Sequence, residues 1–200
     1  MATKTEIFNR ALIKLGVNTV TSPDDPSEQA RKCSAVYSSL LKAELRKNPW
    51  TFAIKREELA ALAEAPAFGW QYAYQLPSDF IRVVQIGEYW GFNQIRVATD
   101  QPTVPYTLEG QKILTNYAAP LRVRYVHNVE DDTETWDDLF TEAFACRLAQ
   151  EVCDSLTKNQ TKMANMVRVY RDAIVEAKRL NAIELPPVPL ADNSWITTRI

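Results

Sequence analysis

Large apolar residues at strict four-residue spacing constrain the fold of this chain more than any other feature. The first row consists of Trp136, Phe140, Phe144, Leu148, Val152 and Leu156. A second row lies beside it and consists of Leu139, Ala143, Cys146, Ala149 and Cys153. This spacing places both rows on one α-helix. A helix that is apolar over so much of its surface must be covered by neighbours on two sides, so the chain needs further helices.

Three further helices are predicted. Apolar spacing predicts the first over residues 4–15, with Gly16 at its C-terminal cap. Ser27 is a natural N-cap for the second helix, which should end before Pro49. The last helix carries apolar residues that alternate by three and four and form a packing seam: Met163, Met166, Tyr170, Ala173, Ala177 and Leu180.

The segment between the helical pairs is β-rich. Trp50, Phe52 and Ile54 alternate with polar or small residues, which predicts a half-buried strand. Later strands are predicted from Tyr72 to Leu76 and over 80–86, 95–98, 106–109, 112–116 and 121–127. Gly110 supplies the positive φ of a tight hairpin between two of them.

These patterns predict an α+β fold that is mainly an antiparallel helical bundle with a β-rich insertion and an extended C-terminal tail. The expected segments are 1–49 and 133–184 for the two halves of the bundle, 50–132 for the insertion and 185–200 for the tail. The tail begins with the run Leu185-Pro186-Pro187-Val188-Pro189, which cannot form a helix or a central strand.

Composition argues against several functional classes. The net charge of the 200 residues is -2, which gives no global electrostatic case for binding nucleic acid or membranes. Cys33, Cys146 and Cys153 fit apolar core positions in a reducing compartment. Arg10 and Lys14 interrupt the N-terminal apolar stretch, and no apolar run approaches membrane-spanning length. We therefore expect a soluble protein made in a cytoplasm.

The residues offer little for catalysis. His127 is the one histidine, and none of the five glycines belongs to a nucleotide-binding motif. The cysteines lack the C-x-x-C spacing of a zinc site. We expect no catalytic residue, no cofactor and no metal. His127 is interpreted as a strand-end or surface residue.

Acidic residues cluster before the third helix: Glu130, Asp131, Asp132, Glu134, Asp137 and Asp138. A divalent-cation site and a glycosidase-type carboxylate pair are two functional interpretations. The structural interpretation is a solvated loop whose charge favours the helix N-terminus, with Thr135 as the cap. Glu57 and Glu58 make a poor catalytic pair because adjacent strand residues point apart.

Basic residues dominate the last helix: Lys158, Lys162, Arg168, Arg171, Lys178 and Arg179. This face could meet phosphate, or the acidic cluster of a neighbouring subunit, or only solvent. We take Arg168, Arg171, Asp131 and Asp132 as candidate subunit contacts.

Exposed aromatic and aliphatic residues suggest two further contact regions. Tyr89, Trp90 and Phe92 lie in a glycine-flanked loop, where exposed aromatic side chains are typical of an interface. Trp195, Ile196 and Ile200 end the tail and are expected to order against a partner.

Three stretches resemble the head–tail adaptors of short-tailed bacteriophages, the group that includes tail tubular protein A. They are the helix from Glu6 to Gly16, the run from Leu45 to Ala53 with Pro49-Trp50 at its centre, and the run from Tyr74 to Val83. The order of elements agrees over nearly all of the chain, with the least support in 87–120.

The resemblance implies a structural subunit of the virion tail, not an enzyme. Such subunits form a ring, usually of twelve copies, at the head–tail junction. The implied partners are other copies of the chain, the portal protein, the nozzle or tail tube, and tail fibres, with DNA passing non-specifically through the lumen during genome ejection. No membrane contact is implied. Some relatives have been assigned hydrolase activity, so a virion-associated peptidoglycan or polysaccharide hydrolase is the alternative.

Overall fold

The structure, a computed structural model, describes residues 2–87 and 105–184. The described residues form four helices: α1 Lys4–Leu15, α2 Glu28–Lys47, α3 Asp138–Thr157 and α4 Gln160–Glu184. They also form six strands: β1 Ile54–Leu59, β2 Tyr72–Gln75, β3 Phe80–Ile86, β4 Tyr106–Glu109, β5 Lys112–Thr115 and β6 Leu121–His127. The α+β fold class is confirmed. The strand predicted over 95–98 lies outside the described residues.

The described chain divides into two compact units. Residues 2–54 and 126–184 make the helical unit, and residues 55–87 and 105–125 make the β unit.

Local sequence signals explain the helix ends. Thr3 and Glu6 form a capping box at the start of α1, and Gly16 ends it in the left-handed conformation at φ 65°. Ser27 caps α2, as predicted.

Helix α3 is the centre of the helical unit, because it contacts α1, α2 and α4. The first apolar row is buried as predicted from Trp136 to Val152, and Phe140 and Phe144 are almost fully enclosed. Tyr37 of α2 packs edge-on against Phe144 at 5.3 Å and against Phe8 of α1 at 5.5 Å between ring centroids. These rings join three helices into one core. All three cysteines are buried free thiols, as expected.

The strand predicted from Trp50 is wrong at its start. Residues Thr51–Ala53 form a 3₁₀ turn, and β1 begins at Ile54. The Trp50 ring packs 4.8 Å from that of Phe140, and its indole N–H donates to the Glu44 carbonyl at 3.2 Å. Asn181 of α4 accepts from the Thr51 backbone N–H at 2.8 Å. These tertiary contacts fold the segment against helices, which local alternation does not reveal.

Two small three-stranded sheets form the β unit. Their strand orders are β1-β6-β3 and β2-β5-β4. Strands β4 and β5 pair antiparallel around the predicted hairpin, with Glu109 opposite Lys112 and Gly110 at φ 58°. The core of this unit contains Leu59, Tyr74, Leu76, Ile113, Leu121, Val123 and Tyr125.

None of the helices in the described part of the chain is long and apolar enough to cross a membrane.

Candidate assembly surfaces of the helical unit

One face of α4 combines arginines with exposed aliphatic side chains. Arg168, Arg171, Val175, Arg179 and Ile183 follow each other at spacings of three and four, so they share a face. Val175 is 60% exposed and Ile183 is 66% exposed. The opposite face buries Met166, Ile174 and Ala177 within the helical unit. Because that buried face is occupied, the arginine–aliphatic face is left available to a partner.

The predicted seam of α4 is only partly correct. Met166 and Ala177 are buried as expected, but Leu180 is 42% exposed. Asn181 takes the buried position near the helix end, where its amide holds the backbone of Pro49 and Thr51. A polar residue is buried here because both of its hydrogen-bonding groups have partners.

In the acidic segment, residues 130–138, two carboxylates make contacts that hold the local structure. Glu130 accepts from Ser38 Oγ at 2.7 Å and lies 3.7 Å from Lys4 Nζ. Asp137 caps α3 by accepting from the backbone N–H groups of Leu139 and Phe140. The other four acids, Asp131, Asp132, Glu134 and Asp138, are exposed. Exposed negative charge is thus concentrated at the start of α3.

The prediction that Thr135 caps α3 is wrong. Thr135 belongs to a 3₁₀ turn that spans Thr133–Thr135, and its hydroxyl donates to the Asp132 carbonyl at 2.9 Å. The buried indole of Trp136 donates to the Val129 carbonyl at 3.0 Å. This contact fixes the loop, so the helix starts after Asp137 and not after Thr135.

The acidic segment and the centre of the basic face lie at different levels of the helical unit. Helices α3 and α4 are packed together and separated by only Lys158 and Asn159, so they run antiparallel. Asp138 therefore lies near the level of residue 180, twelve residues beyond Arg168. At 1.5 Å per residue the axial separation is about 18 Å. Arg168 and Asp138 are therefore too far apart to pair within one helical unit.

A buried carboxylate ties three helices together below the basic face. Glu44 of α2 is 1% exposed. It accepts from Tyr170 Oη of α4 at 2.8 Å and from Lys47 Nζ at 2.7 Å, and Arg147 Nε of α3 lies 3.6 Å away. Burial, reinforced by the Glu44 hydrogen bond, raises the pKa of Tyr170, so the phenol remains a donor. This cluster fixes the orientation of α4.

Carboxylates of the β unit have structural partners. Tyr125 Oη lies 2.9 Å from both Glu57 Oε2 and Asp79 Oδ1, while Lys55 Nζ contacts Asp79 at 2.8 Å. Burial raises the pKa of Tyr125, which keeps its proton available to the carboxylates. Glu58 instead contacts Arg122 at 2.9 Å. Glu57 and Glu58 therefore belong to separate contacts and do not form one site.

Histidine and cysteine side chains are occupied in ordinary structural contacts. His127 ends β6, and its Nδ1 lies 2.8 Å from the Ala53 carbonyl. Burial raises the pKa of Cys33 to about 11, so this residue is a thiol at neutral pH. Within residues 2–87 and 105–184, no three His, Cys, Asp or Glu side chains are grouped to hold a metal ion.

Two sets of predicted contact residues lie outside the described residues. They are the aromatic loop with Tyr89, Trp90 and Phe92 and the tail end with Trp195, Ile196 and Ile200. A scan against protein-family models matched none, and a search of curated proteins found no significant match.

Proposed function

We propose that this chain is a ring-forming structural adaptor at the head–tail junction of a tailed bacteriophage. In this proposal the four helices make one mainly antiparallel bundle, the β unit is an insertion in it, and residues 185–200 form an extended tail. The ring, of about twelve copies by resemblance to known adaptors, joins the portal to the nozzle or tail tube and encloses part of the DNA ejection channel.

The exposed arginine–aliphatic face of α4 carries the proposal. This face and the acidic segment are different patches of opposite charge on one helical unit. A contact between two different patches is heterologous, and repetition of such a contact produces a ring when the rotation closes. Val175 supplies apolar area one turn from Arg171, and Ile183 does so one turn from Arg179, while the arginine charges select the partner.

The stretches that resemble phage adaptors occupy architectural positions, which supports an architectural role. The first is α1, which contributes Phe8 to the core. The second contains Trp50, which is buried against Phe140. The third contains the end of β2, the turn in which Phe80 N–H donates to Pro77 O at 3.1 Å, and the start of β3. Their residues shape the two units and leave the α4 face free for assembly.

A mass measurement of the purified chain, alone and mixed with a portal, tests the adaptor role. An adaptor is expected to be monomeric or weakly associated alone and to form a ring on the portal. A closed oligomer of constant size that ignores the portal would contradict the proposal.

A charge-swap series tests the subunit contact. Arg168→Glu with Arg171→Glu should abolish ring formation while far-UV circular dichroism stays unchanged. Adding Asp131→Arg and Asp132→Arg to the same chain should restore rings, because the attraction is then reversed in sign. Assembly of the wild type should weaken as salt rises, since exposed charges are screened.

The matched control is Arg31→Glu with Lys42→Glu, an equal charge change at two exposed positions of α2. It should assemble normally. Normal assembly by the Arg168–Arg171 variant, or equal loss in the control, would exclude this contact while leaving the portal experiment to decide the adaptor role.

A further inference from the structure

The β2-β5-β4 sheet has one face in the core and one face beneath an open groove. Tyr74 and Ile113, which are register partners, point into the core of the β unit. The neighbouring pair Ala73 and Leu114 points the other way and forms the floor of a groove of about 670 Å³. All of the groove's described lining belongs to the β unit.

Segment 64–70 forms one wall of this groove, and the β4–β5 hairpin forms the other. The wall segment is anchored just before it begins, where Leu62 N–H donates to the Ala73 carbonyl at 2.8 Å. It presents two aromatic rings, Phe68 and Trp70, to the groove. Phe68 is 90% exposed, so a large apolar ring faces solvent at the rim. An apolar ligand in the groove would cover it.

The shape and chemistry of the groove favour a slender, extended apolar segment. The floor residue Ala73 is small, and the rim adds the polar side chains of Gln75, Gln111 and Lys112. Aromatic-lined grooves with polar rims recognise polyproline II segments of the form P-x-x-P. Such a segment has no internal hydrogen bonds and is already extended, so it loses little conformational entropy when it binds.

Three stretches of the chain have P-x-x-P spacing, and one fits best. Residues 23–26 are committed to a turn in which Asp25 N–H donates to the Ser22 carbonyl at 3.2 Å. Residues 102–105 end at Pro105, whose carbonyl accepts from Thr115 Oγ1 at 2.8 Å beside β4. Residues 186–189 are flanked by Leu185 and Leu190 and enclose Val188, which supplies the aliphatic surface that the floor would cover.

We propose that the groove binds residues 186–190 of this chain. The segment follows directly after α4 and belongs to the sixteen residues, 185–200, outside the described helical unit. Phe68 and Trp70 pack on the proline rings, and Leu114 packs on Val188. The groove thereby fixes the root of the tail and leaves Trp195, Ile196 and Ile200 available to a partner. This inference does not depend on the adaptor role.

Photo-crosslinking in the full chain tests the docking. Phe68 is replaced by p-benzoylphenylalanine, the protein is irradiated and digested, and the crosslinked residue is located by mass spectrometry. The expected crosslink lies within residues 185–190. Leu108, which is 43% exposed on β4 and does not line the groove, provides the control position.

A crosslink from Phe68 to residues 102–105, crosslinks that avoid residues 185–190, or equal yields from both positions would overturn the proposal. Pro186→Ala with Pro189→Ala should lower the crosslink yield at least about threefold, because the segment loses its preformed extended conformation. Asp192→Ala with Asn193→Ala changes the same tail outside the proline run and should leave the yield unchanged. Unchanged yield with the proline variant would show that the groove does not recognise this segment.

Discussion

Replacing Tyr170 by phenylalanine removes the hydrogen bond that links α4 to the buried Glu44, together with a longer one that Lys47 Nζ donates to the same hydroxyl at 3.4 Å. The substitution removes one oxygen and keeps the ring, so packing of α4 is preserved. Tyr170 Oη donates to Glu44 Oε2 at 2.8 Å, and the acceptor side chain is almost fully buried. After the substitution Glu44 keeps Lys47 and Arg147 as charged neighbours but loses its contact to α4. The helical unit should therefore become less stable.

The size of the loss follows from the kind of hydrogen bond. Hydrogen bonds to charged groups contribute about 1.5–3 kcal/mol to stability. Tyr170 is only half-buried, so water can partly replace it and the lower end of that range applies. A loss of about 1.5–2 kcal/mol corresponds to a fall in Tm of roughly 3–8 °C for a protein of this size.

Tyr37→Phe is the matched control, because its hydroxyl is buried without a hydrogen-bond partner among the described residues. Removing an unpaired buried hydroxyl relieves its desolvation cost, so this variant should be as stable as the wild type or more stable. Both variants are compared by urea and thermal unfolding followed by far-UV circular dichroism. If Tyr37→Phe destabilises the protein as much as Tyr170→Phe does, the hydrogen bond to Glu44 is not the source of the effect.

Three further outcomes are expected. Burial raises the pKa of Tyr37, Tyr74 and Tyr125, so these phenols should stay neutral in the folded protein when exposed tyrosines ionise. The unfolded chain releases those protons near the ordinary pKa of about 10, so the contribution of these tyrosines to the free energy of unfolding is full below that pH and is lost as the pH rises from there through their raised folded-state pKa. The measurement is tyrosinate absorbance of the folded protein, and one common ionisation step for all eight tyrosines would contradict this. The chain should not hydrolyse peptidoglycan or polysaccharide above background, and turnover that disappears on changing Glu130, Asp131, Asp132 or Glu134 to alanine would favour the hydrolase alternative. Truncation after Glu184 should leave helical circular dichroism and Tm nearly intact but weaken portal binding; equal portal affinity would show that the tail is not an anchor.

Exposed charges of the candidate surfaces were predictable from the sequence, but their apolar neighbours were not. Arg168, Arg171, Asp131 and Asp132 are charged residues outside any apolar row, and all four are exposed. Val175 and Ile183 look like core residues by type. Their exposure depends on which face of α4 meets α3, and that rotation is set by the whole helical unit.

The sequence by itself determined the elements whose signals are local. Apolar periodicity, Ser27 and Gly16 locate α1 and α2, and alternation with Gly110 locates the β4–β5 hairpin. These signals act over a few residues, because helical hydrogen bonds and hairpin turns join near neighbours.

Tertiary structure decided features that join residues distant in sequence. The turn after Trp50 depends on Asn181, the burial of Glu44 depends on Tyr170, and Tyr125 brings together Glu57 and Asp79. In each case a polar group could leave water because a partner from another element was already in hydrogen-bonding distance. Such pairing is a property of the packed chain, and no short stretch of its sequence encodes it.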